Sequence, residues 1–408
     1  MHGTPRVPLL TPALLVVAPH RLLFFTGAVN VLLAMLWWAL WLSSTRWQWP
    51  ALPQPPIPAG WAHSFVMTYQ LLTPFMFGFL LTVFPRWMNQ PALSIWQYGP
   101  VGAGLFCGQL LTLAGLLGFA PLLHAGVVVT ILGWVAGIVA LAGVLWRDGG
   151  RTWHAVSVLA ALGMGLAGLV LFAGYLHDAG PRWLFASVRI GVIGLLLPVF
   201  FTVCHRMVPF FAGSALRGYA LYLPMAALAI CWPLLLAHLA LELVHGYAWL
   251  WLADLPLAAL AGLLAWRWWP RQRMPGLLAV LFIGFAWLPV ALLLFAAQSL
   301  WLAATGEFVL GRAPVHALTI GFCASLLVAM VTRVTQGHSG RPLQMPAVAW
   351  IAFVALQLVA VLRIGSELLA DPVAWQAGAA VLWLVALAPW ASRLLWIYLT
   401  PRLDGNPG

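Results

Sequence analysis

The sequence predicts an all-α integral membrane protein of about twelve transmembrane helices, with the N-terminus and the C-terminus both cytoplasmic. Three observations predict it. Of 408 residues, 63% are hydrophobic and 7% charged, too few polar side chains to clothe a water-soluble globule. Apolar runs of the ~20 residues needed to cross a bilayer recur along the whole chain. Arginines gather at alternate ends of those runs, as expected when cytoplasmic loops collect basic residues.

The runs lie at approximately 22–42, 62–84, 95–118, 121–146, 153–177, 183–208, 220–241, 246–268, 276–302, 315–335, 346–368 and 374–399. Short turns around Pro121 and from Glu242 to Gly246 must separate the closest neighbours. Many of the 25 tryptophans, among them Trp61, Trp96, Trp146, Trp183 and Trp301, stand at run ends, where an amphipathic ring meets the headgroup layer. The organisation is therefore a short cytoplasmic tail (1–20), one polytopic transmembrane domain (21–400) and a second cytoplasmic tail (401–408). Met1 to Ala18 has one Arg, three Pro and no apolar core with a small-residue cleavage site, so it reads as a tail and not a signal peptide.

With the N-terminus inside, Arg6, Arg21, Arg86, Arg147, Arg151, Arg206, Arg217, Arg267, Arg271, Arg273, Arg333, Arg341, Arg393 and Arg402 fall inside or at inner helix ends. Only Arg46, Arg182 and Arg312 fall outside, while Arg189 and Arg363 lie within spans. Asp178, Glu242, Glu307, Glu367 and Asp371 take the outer side. The net charge of +11 is thus topological. Every basic residue is Arg and none forms a run, which excludes a nucleic-acid-binding tract and leaves membrane lipid as the expected partner.

Spans 2, 6 and 10 share a rhythm. Each runs from outside to inside, carries a histidine and leaves through an arginine: Phe84-Pro85-Arg86, Cys204-His205-Arg206 and Val331-Thr332-Arg333. Three four-helix units would produce this, although the basic-inside bias alone would place the arginines there.

Ionisable groups at membrane depth are expensive, which directs attention to the eleven histidines. His63, His124, His177, His238, His245 and His316 fall toward the outer face; His2, His20, His154, His205 and His338 fall toward the inner. Neutral imidazole ligates haem iron and copper, so paired intramembrane histidines are candidates for a redox cofactor. A 3.6-residue period puts His63, Met67, Gln70 and Pro74 on one face of span 2. It aligns His316, Thr319, Cys323 and Met330 on span 10. His63 and His316 start their spans on the same side and could hold a b-type haem between two helices; equally, each could sit in the interface or bond a loop. On span 6, Gly191, Gly194, Pro198, Phe201 and His205 form a small-residue groove for a close helix or a flat ligand. His238 and His245 could contribute to an outer copper site. Arg189 could pair with a haem propionate or an acid, or snorkel; Arg363 and Glu367 have the spacing of a simple ion pair. Cys107, Cys204, Cys231 and Cys323 lie in apolar runs without the Cys-x-x-Cys spacing of covalent haem or zinc, and read as buried thiols.

Span 10 leads into the chain's most distinctive segment, His316-Ala-Leu-Thr319-Ile-Gly321, then Met330-Val-Thr332-Arg333-Val-Thr335-Gln-Gly337-His338-Ser339-Gly340-Arg341-Pro342. Its glycines, arginines and His338 could converge on an anion such as a propionate, or form a plain basic exit loop. This segment resembles the C-terminal hallmark of the NnrS family, bacterial inner-membrane proteins associated with the nitric oxide response. Further matches are Pro19-His20-Arg21-Leu-Leu-Phe-Phe, Gly78-Phe79-Leu80-Leu81-Thr82-Val83-Phe84-Pro85-Arg86-Trp87 and His205-Arg206-Met207-Val208-Pro209-Phe210-Phe211, in the right order over most of the chain.

The resemblance implies a twelve-helix protein of the bacterial cytoplasmic membrane containing haem b and copper, with tolerance of nitric oxide and nitrosative stress as its role. His63 and His316 are then the candidate outer ligands, His205 and His338 the inner ones, and Arg86, Arg206, Arg333 and Arg341 the propionate partners. One departure stands out. Many members resemble His-Ala-His-Glu at the start of span 2, whereas this chain has Trp61-Ala62-His63-Ser64, leaving His63 as the single imidazole there. No adjacent His-His pair of the haem-copper oxidase kind occurs, and nothing in the sequence identifies an electron donor. The rival expectation is a permease without a redox cofactor, to which helix-interior Pro74, Pro198, Pro233 and Pro289 would be suited. Acids are sparse within its spans, Asp254 being the main exception.

Overall fold

A computed structural model describes residues 10–405; the beginning of the expected N-terminal tail, with His2 and Arg6, lies outside them. A helix forms on each of the twelve apolar runs: α1 (Pro19–Trp47), α2 (Ala59–Trp87), α3 (Ile95–Gly115), α4 (Ala120–Asp148), α5 (Trp153–Leu176), α6 (Pro181–Ala215), α7 (Ala226–Leu243), α8 (Trp251–Trp268), α9 (Gly276–Thr305), α10 (Ala313–His338), α11 (Ala347–Gly365) and α12 (Pro372–Tyr398). No strand occurs among the described residues. Ten of these helices are long and apolar enough to cross a membrane; α3 and α8 occupy the two remaining positions. Local chemistry sets the ends. Proline opens α1, α6 and α12, where its missing N–H costs nothing. Gly149 and Gly306 close α4 and α9 in the left-handed conformation. The Asp371 carboxylate accepts the Ala374 N–H at the start of α12.

The second helix of each successive group of four occupies the centre. In α2, 83% of the most apolar stretch is buried inside the protein, and in α6 and α10 72%, against at most 61% in the other seven helices of membrane length. The other helices wrap around these three, and α1 packing on α12 closes the ring. The same three helices share a distortion. Each contains a π-helical segment, Met67–Leu71 in α2, Ile190–Leu196 in α6 and Ala317–Ala324 in α10, and the segment of α6 meets both of the others at the core. In α2 its cause is legible. Pro74 cannot donate to the Gln70 carbonyl, which instead accepts from Asn30 Nδ2 of α1 at 3.1 Å. The preceding carbonyl, that of Tyr69, accepts from the Thr73 hydroxyl at 2.7 Å and from the Trp134 indole at 3.3 Å.

Polar side chains tie the first four helices together. Gln70 Nε2 donates to the hydroxyls of Thr112 (2.8 Å, α3) and Thr130 (2.9 Å, α4), and Gln109 Nε2 donates to the Asn30 carbonyl at 2.8 Å. The Gln70–Thr bonds require α3 and α4 to be unusually close. Gly104, Gly108 and Gly115 of α3 face Gly133, Thr130 and Leu123 of α4 so closely that a Cβ at any of these glycines would strike backbone.

Candidate functional site

The predicted histidines fall at the two ends of the central helices. At the end where α2 and α10 begin, His63 stacks on Trp38 of α1, ring centroids 4.0 Å apart and planes 17° apart. Its Nδ1 is buried with no hydrogen-bond partner among the described residues. His316 donates Nδ1–H to the Arg312 carbonyl one turn back (2.9 Å), and Arg363 Nη2 of α11 lies 3.2 Å from its Nε2. Arg363 also donates to Ser366 and approaches Glu367 at 3.6 Å. Arg363 and Arg312 are charged neighbours of both imidazoles, which places His63 and His316 at the same end of the bundle. The expected pairing of Arg363 with Glu367 is also present, but the arginine bridges to His316 as well.

At the opposite end His205 and His338 do not pair with each other. His205 Nδ1 meets His154 Nε2 of α5 at 3.0 Å, and its Nε2 faces the Pro224 carbonyl at 3.1 Å, so the imidazoles form a buried hydrogen-bonded chain. His338 instead packs on His20 of α1, centroids 4.4 Å apart. It donates Nδ1–H to the Val334 carbonyl (3.0 Å), and Arg86 Nη1 lies 3.2 Å from its Nε2. The two ends of α10 share one feature: in each histidine a carbonyl four residues back fixes the proton on Nδ1. At His338 a guanidinium then faces Nε2, whereas Arg363 Nη2 lies 3.2 Å from Nε2 and 3.4 Å from Nδ1 of His316 and so sits beside the ring, off the Nε2 lone-pair axis.

The remaining predicted arginines line this second end. Arg206 of α6 covers the Trp87 ring at 4.6 Å and reaches His154 Nδ1 at 3.5 Å, joining the two histidine pairs through the end of α2. Arg333 lies 4.0 Å over Phe211. Arg341, in the loop after α10, is buried beside Trp396, and its Nη1 has no hydrogen-bond partner among the described residues. Burial pushes its guanidinium pKa down, with Arg393 and Arg21 adding to the effect. Arg21 is committed elsewhere, to the Tyr398 and Thr400 carbonyls at 3.0 and 3.2 Å.

Between the two ends, α2, α6 and α10 enclose a cavity of about 60 Å³ whose lining is wholly apolar, including Phe75, Phe79, Phe200, Leu327 and Met330. Phe24 of α1 forms part of its wall and lies 6.4 Å, ring to ring, from His20. The cavity, His20 and His338 thus follow one another toward the second end. Cys204 lines the cavity; Cys204, Cys231 and Cys323 are buried thiols, as expected, but Cys107 is exposed.

Several expected groupings resolve differently. The small-residue groove of α6 serves helix packing: Gly191 abuts Thr68 and Tyr69 of α2, and Gly194 abuts Met164 of α5. His238 does not join His245; its Nδ1 binds Asp254 of α8 at 2.6 Å. Arg189 pairs with Glu242 at 2.9 Å, the acid option among those its position left open. The residues not foreseen as partners, His20 and His154, carried one signal in the sequence: each stands at the start of its helix, in the same expected layer as His205 and His338.

Among the described residues no three His, Cys, Asp or Glu side chains are arranged to hold a metal ion. No curated protein matches the chain. The NnrS protein family model matches residues 14–402, and so this chain of buried histidines and multiple membrane-length helices belongs to the NnrS family.

Proposed function

We propose that the chain is a haem-binding membrane protein of the nitric oxide response, with His338 and His316 as the primary candidate ligands. The observation that carries this reading is the shared state of these two imidazoles, Nδ1–H held by a carbonyl and the Nε2 lone pair directed away from it. The surroundings of His338 fit a haem b in three further respects. The neighbouring cavity is apolar, although at about 60 Å³ it would have to widen to admit a macrocycle; Arg341 Nη1 is a buried donor without a partner suited to a propionate; and Arg86 already stands beside the imidazole. His20 Nδ1 is also buried and unpartnered among the described residues. The His20 and His338 rings touch, so the two would not flank one iron without moving apart. A haem bound here would supply an iron able to take a diatomic ligand such as nitric oxide. The protein's part is to hold the macrocycle between apolar walls, fix the imidazole proton on Nδ1 and neutralise the propionates.

Copper is less well served. In His154–His205 the facing nitrogens are 3.0 Å apart, a hydrogen bond, whereas a metal between them needs about 4 Å from two bonds of about 2 Å. His205 is therefore a hydrogen-bonding residue in this reading, and His63 a secondary ligand whose Nδ1 is free. Arg206 and Arg333 support aromatic packing at the rim in addition to any anion.

The test is an absorption spectrum of the detergent-purified full chain after expression with haem supplied. A Soret band, weakened or shifted by His338→Ala or His316→Ala, is expected. No band, or one that neither substitution alters, would refute the assignment. The permease reading gains support from a buried cluster of charges between α6, α7 and α8; substrate uptake into vesicles without any Soret absorbance would favour it.

A further inference from the structure

Lipid-embedded charges are tolerated when they neutralise one another, and the largest such group among the described residues lies away from the histidine sites described above. It spans three helices: Arg189 on α6, His238 and Glu242 one turn apart on α7, and Asp254 in the first turn of α8. Arg189 Nη1 donates to Glu242 Oε1 at 2.9 Å, and His238 Nδ1 meets Asp254 Oδ1 at 2.6 Å. His238 Nε2 lies 3.7 Å from Glu242 Oε2, too far for a hydrogen bond. His238, Glu242 and Asp254 are at most 2% exposed. His238 Nε2, Glu242 Oε2 and Asp254 Oδ2 are each buried without a hydrogen-bond partner among the described residues. Such a group has more polar atoms than it satisfies, which is unusual for a purely structural ion pair.

We propose that these four residues form a buried site that binds one exchangeable proton, communicating with the aqueous phase at the end of the bundle where α6 begins. The charge balance carries the argument. Two carboxylates face one permanently charged guanidinium, so the cluster is neutral only when one further proton is present on the imidazole or on a carboxylate. The 2.6 Å His238–Asp254 contact lets that proton move between nitrogen and oxygen without changing the total. Release leaves one uncompensated negative charge among apolar side chains. The route outward would pass Arg189, whose side chain is 26% exposed while the side chains behind it are closed off. Tyr247, in the turn between α7 and α8, lies beside Arg189 and Glu242 and contacts His245 at 3.4 Å. From α9 only the edge of the Phe295 ring meets His238, and α9 carries no ionisable residue. The groups facing the imidazole are thus Asp254 and Glu242, with Arg189, Tyr247 and His245 beyond them. Arg189 immediately precedes the π segment of α6, so the charge state of the cluster bears on a central helix.

The test uses the full chain in lipid nanodiscs. Infrared difference spectra and ¹⁵N-histidine NMR are recorded as the pH is stepped from about 5 to 9. One imidazole or carboxylic-acid signal is expected to change with uptake of a single proton, and to disappear in His238→Gln and in Asp254→Asn. Arg189→Gln removes a positive neighbour and is expected to raise proton affinity at least tenfold; Glu242→Gln is expected to lower it by a similar factor. If the wild-type protein shows no titrating group assignable to His238, Asp254 or Glu242 over this range, the cluster is a fixed ion network and the proposal is overturned. That wild-type measurement decides the matter even if a variant does not fold.

Discussion

Replacing Gly104 with alanine places a methyl group against backbone. The new Cβ would lie 2.7 Å from the Gly133 nitrogen, closer still to its Cα, and 3.1 Å from the Val129 carbonyl oxygen, where comfortable carbon contacts begin at about 3.5 Å. Backbone cannot swing aside, so α3 and α4 must part by about 1 Å. A gap of that size forfeits roughly a quarter to a half of each dispersion contact along the seam. It also stretches the bonds from Gln70 to Thr112 and Thr130, each worth about 1 kcal/mol. Adding the usual cost of overpacking gives a loss on the order of 3 kcal/mol. Gly143→Ala is the control. It lies on the partner helix α4 with nothing within 4 Å of its Cβ position, and alanine there is expected to be neutral or stabilising by about 0.5–1 kcal/mol. The assay is thermal unfolding in detergent, followed by circular dichroism and by recovery of the monodisperse peak. Equal unfolding temperatures for Gly104→Ala and Gly143→Ala would show that the α3–α4 seam is not the tight backbone contact described.

Asn30→Ala strands the Gln70 carbonyl that Pro74 leaves without a donor, and should destabilise by about 1–3 kcal/mol in the same unfolding assay; no loss would mean that this carbonyl finds another donor. Arg46 donates to Asp371 at 2.6 Å and holds its carboxyl below the ordinary range. Because the folded-state value is the lower one, any stabilisation is complete above about pH 4 and is lost as the pH falls through the depressed value. Both side chains are well exposed, so the effect is small; it should vanish in Arg46→Gln and weaken with salt, and an identical acid-side stability curve for the variant would contradict it. Arg341→Gln should weaken haem retention more than Arg333→Gln, since only the former loses a buried unpartnered donor; equal retention on gel filtration would count against the propionate role.

The positions of the helices were legible because an apolar run of membrane length is a one-dimensional signal. The turns expected near Pro121 and between Glu242 and Gly246 are where α3 gives way to α4 and α7 to α8. Helix ends differ from the apolar runs in both directions: α6 continues past its run to Ala215, whereas α7 begins only at Ala226 and α8 at Trp251. Faces were harder to read. An ideal period carried from His63 to Pro74, or from His316 to Met330, crosses a π segment that shifts the phase of everything beyond it. Partners were harder still. Nothing along the chain says that His154 meets His205 or that Asp254 meets His238, since those contacts depend on which helices lie side by side. The apparent scarcity of acids within the spans concealed a buried charge cluster because Glu242 stands near the end of α7 and Asp254 in the first turn of α8: two residues at the edges of separate runs fold into one interior.

A π segment holds one residue more than its turn requires, and that surplus can travel. Passing it along exchanges one backbone bond for its neighbour and rotates the following part of the helix by about 100°. Three adjacent core helices each carry such a turn, in α2 and α6 directly before the side chains that wall the apolar cavity. The bundle therefore has a way to re-aim Phe75, Phe200 and Met330 by rotation, without unfolding a helix or leaving a carbonyl bare in lipid.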